Sequence, residues 1–285
     1  MKFGAHVSIA GGIFNAPLNA AKIGCETFQF FSRSPRGGAA PAINKEIKEK
    51  FINNCQEYGF SSYYIHTPYY INFASTNNRI RKGSIEIVRQ ELERGDQLAV
   101  TATMTHLGSA KDIDGSEIVQ KVAEGLIQVL KGYNGKNQFL IEIAAGAGKI
   151  IGSTFEEVAA IIETVEKKVK YKIGVCFDTA HAFASGYDLR DQKSVNKTLL
   201  QFAQSIGRDR LVVVHINDSL VSLGERKDRH ANIGKGKIGI NGFKSLLCHK
   251  WMRDMDFILE TPWETESTIK KDLNTLKRIR ANQCK

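Results

Sequence analysis

The segment Leu211-Val212-Val213-Val214 is an apolar run that ends at His215, a potential metal ligand. A strand without polar alternation is typical of a parallel sheet that is covered by helices on both faces. The segment Phe257-Ile258-Leu259 repeats this pattern and is followed by Glu260. The two segments therefore indicate a buried parallel sheet with polar side chains at the carboxyl ends of its strands.

Runs of this kind recur along the 285 residues, with helical patterns between several of them. The predicted strands are Phe3–Val7, Thr27–Phe31, Ser62–Thr67, Ala99–His106, Gln138–Ile143, Lys172–Asp178, Arg210–Asn217 and Asp256–Thr261. Apolar stripes with helical spacing begin at Ile47, Ile118, Val158 and Ile269, and Thr154-Phe155-Glu156-Glu157 resembles a capping box. Strands alternating with helices predict an α/β fold, a (β/α)₈ TIM barrel that forms a single domain over residues 1–285. A doubly wound open sheet is the alternative, because periodicity does not show whether a sheet closes.

The composition points to a globular protein with an anionic partner. A chain that is 42% hydrophobic and 25% charged is too apolar and too mixed in charge for a disordered segment. Lys and Arg outnumber Asp and Glu by 40 to 30, which gives a net charge of +10 and favours nucleic acid as the partner. No apolar segment is long enough to span a membrane, so we expect no membrane association.

The cysteines predict a reducing compartment. Their number is odd, they are scattered, and they lack the CxxC spacing of a zinc ribbon; they are Cys25, Cys55, Cys176, Cys248 and Cys284. This pattern favours reduced thiols over a disulfide framework. We therefore expect a cytoplasmic protein.

Potential metal ligands accumulate at or after the ends of the predicted strands. They are His66, His106, Glu142, Asp178, His181, His215, Asp228, His230 and Glu260. In a parallel barrel these ends open on one face, where TIM-barrel active sites lie. Each residue alone could be a hydrogen-bonded turn residue, but together they would carry a heavy cost of desolvation and repulsion unless cations neutralised them. Imidazole and carboxylate without thiolate suit Zn²⁺, Mn²⁺ or Fe²⁺, and the number of ligands predicts two or three ions, as in enzymes of phosphoryl displacement.

Four motifs carry a resemblance to a known family. They are Gly4-Ala5-His6-Val7-Ser8-Ile9-Ala10-Gly11-Gly12, the segment from Cys176 to Asp188, Lys227-Asp228-Arg229-His230, and Gly234-Lys235-Gly236-Lys237-Ile238-Gly239. They resemble the endonuclease IV family, zinc-dependent apurinic/apyrimidinic endonucleases with a trinuclear site on a TIM barrel. The likeness extends from Phe3 to Pro262 and includes all the potential ligands in order.

The resemblance implies three Zn²⁺ per chain, with Mn²⁺ or Fe²⁺ as substitutes in one or more sites. His66, His106 and Glu142 would hold the first ion, and Glu142 would bridge to a second ion held by Asp178, His215 and Glu260. His181, Asp228 and His230 would hold the third. Glu142 would thereby be the catalytic residue that positions the attacking hydroxide. The implied reaction is hydrolysis of the phosphodiester 5′ to an abasic site, giving a 3′ hydroxyl and a 5′ deoxyribose phosphate, together with trimming of blocked 3′ ends. We expect a monomer that acts on double-stranded DNA.

The DNA-contacting residues that we predict are Arg36, Tyr69, Tyr70, Lys235 and Lys237. The resemblance implies that Arg36 enters the DNA and that Tyr69 is an aromatic wedge, whereas Tyr70 replaces an aliphatic residue. The lysines between glycines either approach the phosphate backbone or belong to a simple turn. Two stretches depart from the family pattern: Gly37-Gly38, where some relatives carry a bulkier pair, and the segment from Ile143 to Ala147, where polar groups are lost.

Two other functions compete with the nuclease. One is a sugar isomerase or epimerase of the xylose isomerase-like barrels, which also gather His, Glu and Asp at strand ends. The other is a DNA-binding protein without catalysis. The additional pair Asp228 and His230 and the charge of +10 favour the nuclease. His6, outside the ligand set, either orients a neighbouring group or forms a hydrogen bond at the barrel mouth.

Overall fold

A computed structural model describes residues 1–111 and 113–283 of the chain. The helices are α1 (Ala16–Lys22), α2 (Lys45–Glu57), α3 (Asn78–Gln97), α4 (Ile118–Leu130), α5 (Phe155–Glu166), α6 (Thr179–Ala184), α7 (Gln192–Ser205), α8 (Gly239–Leu247) and α9 (Glu266–Gln283). The strands are β1 (Lys2–Val7), β2 (Thr27–Phe30), β3 (Tyr63–His66), β4 (Ala102–Thr105), β5 (Gln138–Glu142), β6 (Gly174–Asp178), β7 (Leu211–His215), β8 (Asp218–Ser219), β9 (His230–Ala231) and β10 (Asp256–Leu259).

The long strands form one closed parallel barrel in the order β1-β10-β7-β6-β5-β4-β3-β2. Strand β1 closes it by pairing with β10 on one side and with β2 on the other. The predicted TIM barrel is thereby confirmed, and the open doubly wound sheet is wrong. The strand predicted from Ala99 begins three residues later, because Ala99 follows α3 with a φ of 55°, which an extended strand does not adopt.

The barrel interior explains where the polar strand ends point. Side chains alternate along a strand, so every second residue faces the barrel axis. The interior core consists of Tyr64, Ala102, Met104, Leu140, Cys176, Val213 and Ile258. Each of His66, His106, Glu142, Asp178, His215 and Glu260 follows one of these core residues by two positions. The residues of opposite phase, such as Phe28, Phe177 and Phe257, pack outward against the helices.

The predicted helical stripes pack against the core, although Ile47 and Ile118, which begin two of them, are only partly buried. In α5 the inward residues Val158, Ile161, Ile162 and Val165 are buried. The hydroxyl of Thr154 accepts a hydrogen bond from the backbone N–H of Glu157 at 3.1 Å, as a capping box requires. The Glu157 carboxylate, however, accepts from the N–H of Gly152 at 2.6 Å, so it braces the preceding turn.

A short hairpin follows the seventh barrel strand. Strands β8 and β9 are antiparallel, with Ser219 opposite His230. Asp228 lies in the loop between these two strands, whereas the antiparallel bridge holds the backbone of His230. The buried Asp218 carboxylate also accepts from the backbone N–H groups of Gly234, Gly236, Ile238 and Gly239, which fixes the loop that carries the predicted lysines.

The expectation of reduced cysteines holds only in part. Cys25, Cys55 and Cys176 are free thiols, whereas Cys248 is disulfide-bonded, so the expectation is wrong at that position. Cys284 lies outside the described residues. Sequence spacing did not reveal this bond because the fold, not the spacing, decides which sulfur atoms meet. Among the helices described here, none is long and apolar enough to cross a membrane.

Candidate active site

A cavity of about 790 Å³ opens at the carboxyl ends of the barrel strands. Predicted site residues on its wall are His66, Tyr69, His106, His181, Asp228, His230 and Glu260. The remaining predicted ligands, Glu142, Asp178 and His215, are fully buried next to it. The fold therefore brings all the predicted ligand residues to one barrel mouth.

The first group joins strand β5 to the ends of β3 and β4. Its donor atoms, from His66, His106 and Glu142, all lie within 4.8 Å of one another. Glu142 Oε2 lies 2.8 Å from His66 Nε2 and 3.5 Å from His106 Nε2. One carboxylate oxygen thus faces two imidazole nitrogens.

The second group uses the other oxygen of the same carboxylate. Glu142 Oε1 lies 3.0 Å from His215 Nδ1, which also lies 3.3 Å from Glu260 Oε2 and 3.8 Å from Asp178 Oδ2. Because its two oxygens face different groups, Glu142 has the geometry of a carboxylate that bridges two cations.

The third group is a nearly equilateral triangle of donor atoms. His181 Nε2 lies 3.3 Å from His230 Nε2, and Asp228 Oδ1 lies 3.3 Å and 3.4 Å from these two nitrogens. Four ligands at tetrahedral Zn²⁺ with bonds of about 2.0–2.1 Å are separated from one another by about 3.3–3.4 Å. The residues therefore fit such an ion in spacing as well as in chemistry.

Hydrogen bonds on the far side of the rings orient three of the histidines. His66 Nδ1 lies 2.6 Å from the carbonyl oxygen of Thr67, and His181 Nδ1 lies 3.0 Å from that of Ile143. His230 Nδ1 lies 3.2 Å from the carbonyl oxygen of Glu260. A carbonyl oxygen only accepts, so each Nδ1 carries the hydrogen in the neutral ring and each Nε2 presents a lone pair to the cluster.

His106 differs from these three histidines. Its Nδ1 atom is buried and has no hydrogen-bond partner among the residues that the structure describes. Burial lowers the pKa of His106, and this outweighs the opposing effect of Glu142. The ring is therefore neutral, as a metal ligand must be.

The electrostatics of the cluster favour positive charge at its centre. Burial tends to raise the pKa of Glu142, but His106 and His215 outweigh it and hold the pKa well below its usual range. Burial likewise opposes the shift at His181, where Asp178 and Asp228 raise the pKa to about 10. For Asp228, burial is outweighed by His181, which lowers the pKa to about 2. Protons on the histidines balance the negative charge of these carboxylates in part, and divalent cations would balance it more fully.

Several residues near the cluster were not predicted from the sequence. Gln29 is fully buried and contacts both His215 and Glu260, and the alternation of Phe28 and Phe30 was the signal that its side chain faces inward. Cys176 lies beside Glu142 and His215. Burial raises the pKa of this thiol to about 12.

For His6 we expected either a hydrogen bond at the barrel mouth or a role in orienting a neighbouring group. The structure shows the hydrogen bond, and its partner is a residue next to the cluster. His6 Nδ1 lies 2.9 Å from Gln29 Nε2 and 3.5 Å from Glu260 Oε1. His6 therefore forms a hydrogen bond at the barrel mouth with a residue that also contacts the cluster.

Of the five predicted DNA-contacting residues, one lines this cavity and four do not. Tyr69 lies on its wall, is 69% exposed and packs edge-on against Phe31 with ring centroids 5.1 Å apart. The other four lie outside the wall, with all four side chains exposed: Arg36, Tyr70, Lys235 and Lys237. Trp263 and Arg229, which the sequence did not single out, also line the cavity.

Both departures from the family pattern have a structural counterpart. Gly37 and Gly38 have φ values of 111° and 97°, a region that residues with a side chain rarely adopt. After β5, Ala144, Ala145 and Ala147 make part of the cavity wall apolar. The backbone of that stretch still serves the cluster, because the Ile143 carbonyl orients His181.

Comparison with known proteins identifies the family. A family model described as a xylose isomerase-like TIM barrel matches residues 17–279. The probable endonuclease 4 of Aquifex aeolicus is 37% identical over 263 residues, which cover 92% of each chain. That of Chlorobium phaeovibrioides is 38% identical and covers 93% of this chain and 96% of its own. The chain belongs to the endonuclease IV family.

Solved structures agree with this assignment. Endonuclease IV from Thermus thermophilus superposes with a TM-score of 0.85 at 32% identity, over 99% of this chain and 98% of that one. A D-tagatose 3-epimerase-like protein gives a TM-score of 0.70 at 19% identity over 99% of both chains, and this likeness shows the fold alone. As a member of the endonuclease IV family, the protein is a DNA repair endonuclease, a hydrolase of the deoxyribonuclease IV type.

Proposed function

We propose that this endonuclease uses three Zn²⁺ ions to hydrolyse the phosphodiester 5′ to abasic sites in double-stranded DNA. The products would be a 3′ hydroxyl and a 5′ deoxyribose phosphate, and the same site would trim blocked 3′ ends. The observation that carries the proposal is the triangle of His181, Asp228 and His230, whose edges of 3.3–3.4 Å match tetrahedral zinc.

The proposed division of ligands follows the three groups of donor atoms. His66, His106 and Glu142 would hold the first ion, and Glu142, Asp178, His215 and Glu260 the second. His181, Asp228 and His230 would hold the third. Mn²⁺ or Fe²⁺ would suit the same nitrogen and oxygen donors. Bound divalent cations supply a nucleophile at neutral pH and neutralise charge at phosphorus and on the departing oxygen.

The chain's own residues prepare this site in three ways. Glu142, the proposed catalytic residue, directs one oxygen to each of two histidine groups and so would position the attacking hydroxide. Asp178 caps helix α6 by accepting from the backbone N–H of His181 at 2.7 Å, which ties two ligand residues together. The carbonyl oxygens behind His66, His181 and His230 direct the Nε2 lone pairs inward.

The exposed residues around the mouth support the DNA substrate. Tyr69 offers a ring face and edge beside the cavity, which suits a wedge where an abasic site has already broken the stacking. Arg36, Lys235 and Lys237 are exposed cations that would contact backbone phosphates. Tyr70, which is 38% exposed, would act beside Tyr69.

Neither competing function has a specific observation in its favour. The epimerase-like structure shares the fold at 19% identity, whereas the relatives that share 35–38% identity are probable endonuclease 4 proteins. A DNA-binding protein without catalysis has no need for a complete set of buried donor atoms, which costs desolvation energy. The monomeric state, the single domain over residues 1–285 and the cytoplasmic location stay predictions.

Cleavage of a defined duplex tests the proposal. The substrate carries one tetrahydrofuran abasic analogue and a label on the 5′ end of the damaged strand. We expect one cut, 5′ to the analogue, whose labelled product a DNA polymerase can extend because it ends in a 3′ hydroxyl. Chelator should abolish the cut and Zn²⁺ should restore it. A second duplex with a blocked 3′ end tests trimming. Cleavage that persists after complete chelation would contradict the proposal.

A further inference from the structure

We propose that Gln29 is a positioning residue, which selects the ring nitrogen that His215 presents to the cluster and fixes the orientation of Glu260. The inference rests on the proposed metal site, because its effect would be on the ion held by Glu142, Asp178, His215 and Glu260. It concerns a residue on a strand that supplies no ligand of its own.

The position of Gln29 in the barrel brings it to the cluster. It lies on β2 between Phe28 and Phe30, which are in the outer core, so its side chain faces the barrel axis. It is fully buried, and His6 is its neighbour in the register of β1 and β2. Gln29 thus occupies, on β2, the inward position at the mouth that other strands fill with ligand residues.

Hydrogen bonds fix which way the Gln29 amide points. The atom that lies 2.7 Å from Glu260 Oε1 must be the NH₂ group, because an ionised carboxylate oxygen only accepts. The same NH₂ group lies 2.9 Å from His6 Nδ1, which uses its second hydrogen. The amide oxygen therefore faces His215 Nε2, at 2.7 Å.

The fixed amide determines the tautomer of His215. The amide oxygen only accepts, so His215 Nε2 carries the hydrogen. This leaves Nδ1, 3.0 Å from Glu142 Oε1, as the ring nitrogen whose lone pair would bind an ion shared with that carboxylate. The sulfur of Met104, 3.1 Å from the same Nε2, is a weak acceptor and adds to this preference.

His215 is the exception among the ligand histidines. His66, His181 and His230 direct Nε2 inward, because backbone carbonyl oxygens accept from their Nδ1 atoms. His215 directs Nδ1 inward instead, and a side-chain amide takes the place of the carbonyl. A substitution can therefore remove the hydrogen-bond partner of the His215 ring. The partners of His66, His181 and His230 are backbone carbonyl oxygens, which no side-chain substitution removes.

Gln29→Met tests this assignment, because Met has a similar length and provides no amide donor or acceptor. We expect zinc–chelator competition to show that one ion of the three binds about 10–100-fold more weakly, the typical cost of losing a partner of a metal ligand. Tyr64→Phe is the matched control. It removes a buried hydrogen bond from the same barrel interior, between Tyr64 and Asp256 at 2.8 Å, and neither residue is a proposed metal ligand.

Nuclear magnetic resonance of protein labelled with ¹⁵N-histidine gives a second readout that is independent of activity. In the zinc-loaded parent, we expect the His215 ring hydrogen on Nε2, and in Gln29→Met we expect that signal to broaden or disappear. If Gln29→Met does not fold, Gln29→Glu replaces it. The introduced carboxylate still accepts from His215 Nε2 but donates to neither Glu260 nor His6, so the Nε2 signal should remain.

The outcomes separate this inference from the proposed function. A parent protein that binds no zinc would contradict the proposed metal site. If the parent binds zinc, then a His215 hydrogen on Nδ1, or zinc binding by Gln29→Met as tight as in Tyr64→Phe, would overturn the role of Gln29 alone.

Discussion

His181 and His230 bring their Nε2 atoms to within 3.3 Å of each other at the barrel mouth. In the neutral rings neither Nε2 carries a hydrogen, because each Nδ1 donates to a carbonyl oxygen, of Ile143 and of Glu260. Without a bound ion, burial is outweighed by Asp178 and Asp228, which raise the pKa of His181 to about 10, so its Nε2 then carries a hydrogen. A divalent cation shared with Asp228 would take the place of this hydrogen and would be bound by the Nε2 atoms of both neutral rings.

Glu142→Gln should lower abasic-site cleavage by more than about 100-fold. This loss is larger than the one expected when a residue that only hydrogen-bonds to a metal ligand is replaced. The reason is that an amide has one acceptor oxygen, whereas the carboxylate directs an oxygen to each of two histidine groups. The measurement is kcat/KM on the tetrahydrofuran duplex. Glu163→Gln, an exposed glutamate paired with Lys167, is the control and should stay near the parent. Near-parental activity of Glu142→Gln would contradict the bridging role.

Lys235→Ala and Lys237→Ala should each weaken DNA binding on intact and damaged duplex alike. Each should also reduce the slope of log affinity against log salt by about 1, since one phosphate contact is lost. The measurement is a salt titration of binding by fluorescence anisotropy. Lys167→Ala, an exposed lysine paired with Glu163, is the control. An unchanged slope for both variants would show that the Gly234–Gly239 loop is only a turn.

Tyr69→Ala should weaken binding to a duplex with an abasic site more than binding to an intact duplex. A wedge acts where stacking is already broken, and loss of stacking on one base costs about 1–3 kcal/mol. The comparison is the ratio of the two affinities, measured for Tyr69→Ala and for Tyr58→Ala, another exposed tyrosine. An equal loss on both duplexes would make Tyr69 a general contact.

Much of the candidate site was predictable from the sequence because strand ends are visible in it. His66, Glu142 and Asp178 each end an apolar run, and the barrel gathers such ends. The partners of the rings were not predictable, since the carbonyl oxygens of Thr67 and Ile143 meet histidines only after the loops have folded.

Two further features depended on contacts between distant segments. The hairpin that holds His230 rests on a pairing with Ser219, across a loop with no strand pattern of its own. The role of Gln29 needs His215 as its partner, 186 residues away in the chain. Periodicity shows which face a side chain takes, but not which side chain it meets there.

Acid should weaken the ion pair between Glu26 and Arg280, which fastens helix α9 to the barrel. Burial tends to raise the pKa of Glu26, but two hydrogen bonds of 2.8 Å from Arg280 and one from the backbone of Phe3 outweigh it, so the pKa is lowered. A lowered pKa in the folded state means that this stabilisation is present above the unfolded pKa. It is lost as the pH falls through the folded pKa.

Glu26→Gln should therefore lower the free energy of unfolding by about 1 kcal/mol at neutral pH. The difference from the parent should shrink as the pH falls below about 4, near the ordinary pKa of a glutamate. Urea unfolding at a series of pH values measures it. A difference that stays constant down to acid pH would show that the charge of Glu26 does not contribute.

The most direct test of the three-ion site is the zinc content of the purified protein, with the positions of the ions given by anomalous scattering at the zinc edge. We predict three ions per chain: one between His66, His106 and Glu142, one between Glu142, Asp178, His215 and Glu260, and one between His181, Asp228 and His230. One ion or fewer per chain in catalytically active protein would contradict the account.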